Sequence, residues 1–420
     1  MPLGRLAGEL RLELRQNLDC NLARLNYAAV VRPRLSAWIG IGVAVLIVVA
    51  ASIPFAAARL SVDEPTIPPA PSTPQLQPIF TVSVGMDGEI FPAFANYASL
   101  QKTRDRQLAT VSVTITNPGR ELLRTRVTVH FPGWSDQEIQ FADVAAGAVR
   151  TFQFAPVFFP RLYSNREITA ATAVVSAQDL AGKPIFSTTV PVRLRAAQDM
   201  YWGAKFRYAP FIASWVTPHD PQVDEFLAEA KEFAPLRRLP GYEAWKNKAA
   251  QVNSTYEQAR AIYRAMQARG LSYVKSSMTF GRNAQVSERI RFPRESLQHV
   301  SANCIDAVVA YASIFENLGM DPAVVLVPGH AYIGIREADA ADQYLYLDVA
   351  LTGRASFETA VLSASQGMRR FQPSQITYIS VANARRQGIY PMPGFSGAAE
   401  SAATSVESAA SDEPKSSGAQ

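Results

Sequence analysis

"SANCIDAVVAYASIFENLGMDPAVVLVPGHAYIGIR", residues 301–336, contains Cys304, and no other cysteine follows Cys20 in the chain. Ile305, Val308, Val309, Ala312, Phe315 and Leu318 recur at spacings that place them on one face of an amphipathic helix. Gly319 supplies its stop. Asn303 suits the N-cap, with Asp306 three residues on in an acidic variant of the capping box; Ser301 is an alternative cap. Either way Cys304 falls in the first turn. There it faces backbone N–H groups that have no helical partner, at the positive end of the helix dipole. Both favour thiolate over thiol, the form that acts as a nucleophile. A buried, inert cysteine is the competing reading.

A thiolate needs a proton carrier, and the chain has four histidines: His130, His219, His299 and His330. His130 ends a strand-like run, His219 neighbours a helix cap, and His299 lies in a loop. His330 differs. The buried run "AVVLV" breaks at Pro328-Gly329, and a second strand starts at the histidine. A third, "QYLYLDVA" (343–350), follows an acidic loop. With a period of two, Ala331, Ile333, Ile335, Leu345, Leu347 and Val349 share the core face. His330, Tyr332, Gly334, Tyr344, Tyr346 and Asp348 share the other. Pairing Gly334 with Tyr344 sets His330 opposite Asp348, within about 5 Å between Cβ atoms. A register shifted by two preserves the same faces. Taken singly, a strand histidine is ordinarily structural and a strand-end aspartate ordinarily a cap. Together the three suit acyl transfer through a thiol, with imidazole as proton carrier and carboxylate as its orienter.

Residues about 254–350 resemble the core of the transglutaminase-like superfamily, a circle of papain-like thiol enzymes. The matching stretches are "SANCIDAVVAYASIFENLGMDPAVVLV", "GHAYIGI" and "YLYLDVA", preceded by the helix-like "YEQARAIYRAMQARGLSYV". The resemblance implies an α+β domain with Cys304 as nucleophile, His330 as base and acid, and Asp348 as the orienting carboxylate. Tyr332 stands where the family often has tryptophan, and Asn303 replaces the commoner Gly-Asp approach to the cysteine. The Cys304 backbone N–H is one natural oxyanion donor. Gln298, six residues upstream, has the spacing of the papain-type glutamine and is the side-chain candidate. The superfamily includes proteases, amidases, cross-linkers and inactive relatives.

Outward from this core, composition changes near residue 199. "DPQVDEFLAEAKEFAPLRR" and "NSTYEQARAIYRAMQARG" read as helices, the second starting at a Ser254/Glu257 capping box and stopping at Gly270. A transglutaminase-like domain over 199–393 is the expectation. Residues 80–198 carry short alternating runs such as "LATVSVTITNPGR" and "ELLRTRVTVHFPG", broken by Gly, Pro and Asn turns. They predict an immunoglobulin-like β-sandwich. Residues 59–79 are a Pro-rich linker, with six prolines between 61 and 79. The uncharged run 35–58 is long enough for a transmembrane helix. Six arginines against three acids precede it, so residues 1–34 are expected in the cytoplasm and the main body outside, in the periplasm. A cleaved signal peptide is the rival, though a charged lead of this length suits an uncleaved anchor better. Export would separate Cys20 from Cys304 and leave the latter unpaired. Residues 394–420, rich in Ala, Ser and Glu, read as a disordered tail.

The whole chain has 420 residues, 48% hydrophobic and 18% charged, with a net charge of +5. Its basic residues are scattered, which argues against nucleic acid as a partner. Cysteine and histidine are too few and too dispersed for metal-ligand spacing, and no cofactor is implied. The expectation is an extracytoplasmic thiol enzyme, anchored by one N-terminal helix and acting on a protein or peptide substrate in the cell envelope. It would cleave amide bonds rather than cross-link them, since nothing marks an amine-acceptor site. A non-catalytic envelope binding protein on an inactive scaffold is the alternative.

Overall fold

Valines and isoleucines at every second position build residues 79–194 into two sheets. In the computed structural model, which describes residues 76–101, 108–243, 246–275 and 286–393, eight strands contribute. They are β1 (Ile79–Val84), β2 (Glu89–Ile90), β3 (Val111–Thr116), β4 (Leu123–His130), β5 (Glu138–Val144), β6 (Val149–Phe154), β7 (Thr169–Gln178) and β8 (Pro184–Leu194). One sheet has the order β1-β3-β6 and the other β2-β8-β7-β4-β5. Val111, Val113 and Ile115 of β3 and Val127 and Val129 of β4 are fully buried, while their alternates are not. A helix, α1 (Pro92–Leu100), interrupts the strands. Sequence reading missed it because Pro92, Ala93, Phe94, Ala95, Asn96 and Ala98 are all buried, so no polar stripe betrays the helical period.

After β8 the chain passes through β9 (Asp199–Tyr201) into helices α2 (Pro221–Ala230) and α3 (Lys248–Arg269). The α3 helix starts at Lys248, six residues before Ser254. Asn247 caps it by accepting from the Ala250 N–H at 2.9 Å. Gly270 ends it at φ +89°, a conformation costly for other residues. Short elements follow: β10 (Ser272–Tyr273), β11 (Ser287–Arg289), α4 (Pro293–Gln298) and β12 (Ser301–Ala302). Next come α5 (Cys304–Asn317), β13 (Pro322–Val327), β14 (His330–Arg336), β15 (Tyr344–Leu347), α6 (Phe357–Met368), β16 (Thr377–Ser380) and α7 (Val381–Arg386). Strands β15-β14-β13-β16 form one antiparallel sheet. Val308, Val309, Ala312 and Phe315 of α5 share a core with Val324, Ile333 and Ile335 of this sheet. Each large apolar side chain so buried stabilises by roughly 1.5–3 kcal/mol. The alternate positions Val325, Val327 and Tyr332 pack with Ala364 of α6 in a second, smaller cluster.

The expected architecture needs a correction. What the structure describes is a mixed α/β chain with several sheets, and among the described residues no helix is long and apolar enough to cross a membrane. Helix α3 has 22 residues, but Lys248, Glu257, Arg260, Arg264 and Arg269 make it an ordinary surface-facing helix. The run 35–58 expected to span a bilayer lies outside the described residues. So do the segment 1–34, the linker up to residue 75 and the tail from 394.

Candidate active site

The start of α5 is built by a reciprocal cap. Asn303 Oδ1 accepts from the Asp306 N–H at 2.8 Å, and the Asp306 carboxylate reaches back to the Asn303 N–H at 3.4 Å. Asp306 is fully buried and also accepts from the Arg291 N–H at 2.9 Å, which ties the helix start to the segment before α4. Cys304 is therefore the first residue of the helix, where backbone N–H groups lack an intrahelical acceptor. Its side chain is half-buried, a free thiol packed at the margin of the core.

His330 opens β14 immediately after a two-residue turn, paired with Val327. Gly329 takes φ +76° in that turn, which glycine adopts without a steric penalty. His330 Nε2 lies 2.9 Å from Asp348 Oδ1. The Cys304 thiol is within hydrogen-bonding reach of the same ring. With Nε2 engaged by Asp348, Nδ1 is the nitrogen left for the thiol. Burial pushes the imidazole down, but the hydrogen bonds to Asp348 and Cys304, and the negative charge of each, outweigh it and raise His330 to about 9. Tyr332 meets the ring edge-on, with centroids 4.7 Å apart and planes at 84°.

The histidine and aspartate meet by a route other than the expected one. The ladder pairs Gly334 with Tyr346 and Ile333 with Leu347, two residues away from the Gly334–Tyr344 register. Asp348 follows the last ladder pair and reaches back to His330 rather than lying opposite it. Asp348 is buried, 7% exposed, and its second carboxylate oxygen accepts from Ser363 Oγ of α6 at 2.8 Å. Gln298 is the last residue of α4 and exposed, and no hydrogen bond directs it to the thiol among the described residues. The backbone N–H of Cys304, at the first position of α5, has no intrahelical acceptor. His219 and His299 are exposed, and His130 ends β4 in the sandwich.

Two neighbours escaped the sequence reading. One is Ser363. The other is Tyr273 of β10, which pairs in parallel with Ala302, two residues before the cysteine. Its hydroxyl is held above its ordinary pKa by burial first, then by the charges of Cys304 and Asp306. Among the described residues no group of side chains is arranged to hold a metal ion. A cavity of about 440 Å³ lies elsewhere, lined by Glu89, Phe91, Phe94, Thr110, Ser112 and Tyr208 among others. It includes none of the three site residues.

No protein-family model matches the chain, and no curated protein matches it. Among solved structures it is similar to the crystal structure of a FixG-related protein from Vibrio parahaemolyticus. The identity is 10% and the TM-score 0.16, over 28% of this chain and 95% of that one. A likeness of that degree carries no argument about this chain.

Proposed function

We propose that this protein is a thiol enzyme of transglutaminase-like type that breaks amide bonds of a protein or peptide substrate. The observation that carries the reading is the placement of one imidazole, with Asp348 at 2.9 Å from Nε2 and the Cys304 thiol within reach of the same ring. In this mechanism His330 Nδ1 takes the thiol proton, and the sulfur attacks the amide carbonyl carbon. The carbonyl electrons move to oxygen, and the Cys304 N–H at the helix start donates a hydrogen bond to the developing oxyanion. The imidazolium then returns its proton to the amine as the C–N bond breaks, leaving a thioester on Cys304. Water, deprotonated by the same ring, displaces the sulfur and releases the acid. Asp348 holds the ring in the tautomer with hydrogen on Nε2 and stabilises its protonated form. Water is the favoured acceptor because no feature of the site among the described residues marks a second amine.

A thiol-directed probe applied to the folded protein tests this reading. In a Cys20→Ser background the protein is expected to label at Cys304 at neutral pH, and Cys304→Ala in the same background to remain unlabelled. Wild type that labels only after denaturation would sink the catalytic reading and leave a binding protein on an inactive scaffold.

A further inference from the structure

A serine in the middle of a helix ordinarily turns to solvent or donates to the carbonyl four residues earlier. Ser365 of α6 does the second, with its hydroxyl 3.1 Å from the Val361 carbonyl oxygen. Ser363, two residues before it, does neither. Its hydroxyl donates to Asp348 Oδ2 at 2.8 Å while Oδ1 faces His330 Nε2 at 2.9 Å. Asp348 is diverted as well. It directly precedes the 3-10 turn Val349–Leu351, a place where aspartate commonly caps free N–H groups, yet its side chain makes no cap bond there. Both carboxylate oxygens are committed instead to His330 and Ser363. The backbone is anchored to the same helix, since the Asp348 N–H donates to the Ala360 carbonyl at 3.1 Å.

The torsion that turns an aspartate carboxylate is broad and roughly two-fold, so the side chain does not set that angle by itself. Partners on both oxygens do. We propose that Ser363 is a positioning residue: its hydroxyl holds the Asp348 carboxylate at the rotation that meets His330. It touches no reacting atom and acts through Asp348. The role rests on the thiol-enzyme reading above.

The test compares full-length wild type with Ser363→Ala and Ser363→Thr by two readouts. One is the rate of native Cys304 alkylation by iodoacetamide at pH 7; the other is the His330 titration midpoint, followed by NMR of ring-labelled histidine. Ser363→Ala is expected to slow alkylation by about 10-fold or more, the consequence of losing one charge-assisted hydrogen bond. It is also expected to lower the His330 midpoint from about 9 towards the ordinary 6.5. Ser363→Thr keeps the hydroxyl and retains the wild-type midpoint. Unchanged signals from the other three histidines show that the fold persists. A folded Ser363→Ala variant with the wild-type midpoint overturns the proposal. The midpoint reads the positioning even where the wild-type thiol is unreactive, a result that would remove the catalytic reading alone.

Discussion

At the first strand position after a Pro-Gly turn, His330 sits between Cys304 and Asp348, both negative when deprotonated. That placement makes the stability of the fold depend on pH. A folded-state pKa raised from 6.5 to about 9 means the native state binds a proton more tightly than the unfolded chain does. The resulting stabilisation is fully present below pH 6.5, declines as pH rises, and is lost above about 9. A shift of this size corresponds to on the order of 3 kcal/mol. Chemical denaturation at pH 6 and pH 9.5 should show wild type losing stability across that interval and His330→Asn losing much less. Equal losses in the two proteins would mean that the imidazole is not held by its neighbours.

Among the elements, α5 is the one whose sequence speaks most plainly. Its apolar spacing, the Asn303–Asp306 cap and the stop at Gly319 are local features, and local features survive folding. The break at Pro328-Gly329 is legible for the same reason. The register between β14 and β15 is not. Tyr344 and Tyr346 occupy alternate positions of one strand face with the same side chain, so a slide by two exchanges one tyrosine for the other without moving any residue to the wrong face. Helix α6, which packs on β15, lies beyond both strands in sequence, so its contacts are invisible to a local reading. The start of α3 was hidden because Ser254 and Glu257 match a cap pattern that the fold uses as helix interior. Ser254 Oγ instead accepts from Gln258 Nε2 at 3.1 Å. Ser363 carries no local signal at all. A serine in "VLSASQGM" looks like any solvated helix residue until the chain folds Asp348 against it.

Across the described residues, segments distant in sequence pack together. β9 pairs with β11 through Tyr201 and Ser287, and Phe94 of α1 meets Phe211 edge-on at 4.5 Å. One apolar core runs from the sandwich through to Met392. The far end of α5 is held by Arg385 of α7. Its guanidinium engages both Glu316 carboxylate oxygens at 2.9 Å and the carbonyls of Ala213, Val216 and Ile389. Glu316 sits near the negative end of the α5 dipole, where an unpaired acid is unfavourable, so the arginine offsets a cost of the helix itself. Arg385→Ala is expected to destabilise by roughly 3–5 kcal/mol, and Arg385→Lys to recover only part because it lacks the planar fork. A denaturant midpoint for Arg385→Ala matching wild type would contradict this. The claim on which everything else depends is that sulfur, imidazole and carboxylate work as one unit. The most direct measurement is the alkylation rate of Cys304 in the folded protein from pH 5.5 to 9.5, in wild type and His330→Asn. The wild-type thiol is expected to alkylate faster than that of His330→Asn by about 10-fold or more at the low end of this range, with the difference shrinking as pH passes about 9, where His330 loses its proton. Two superimposable profiles would contradict it.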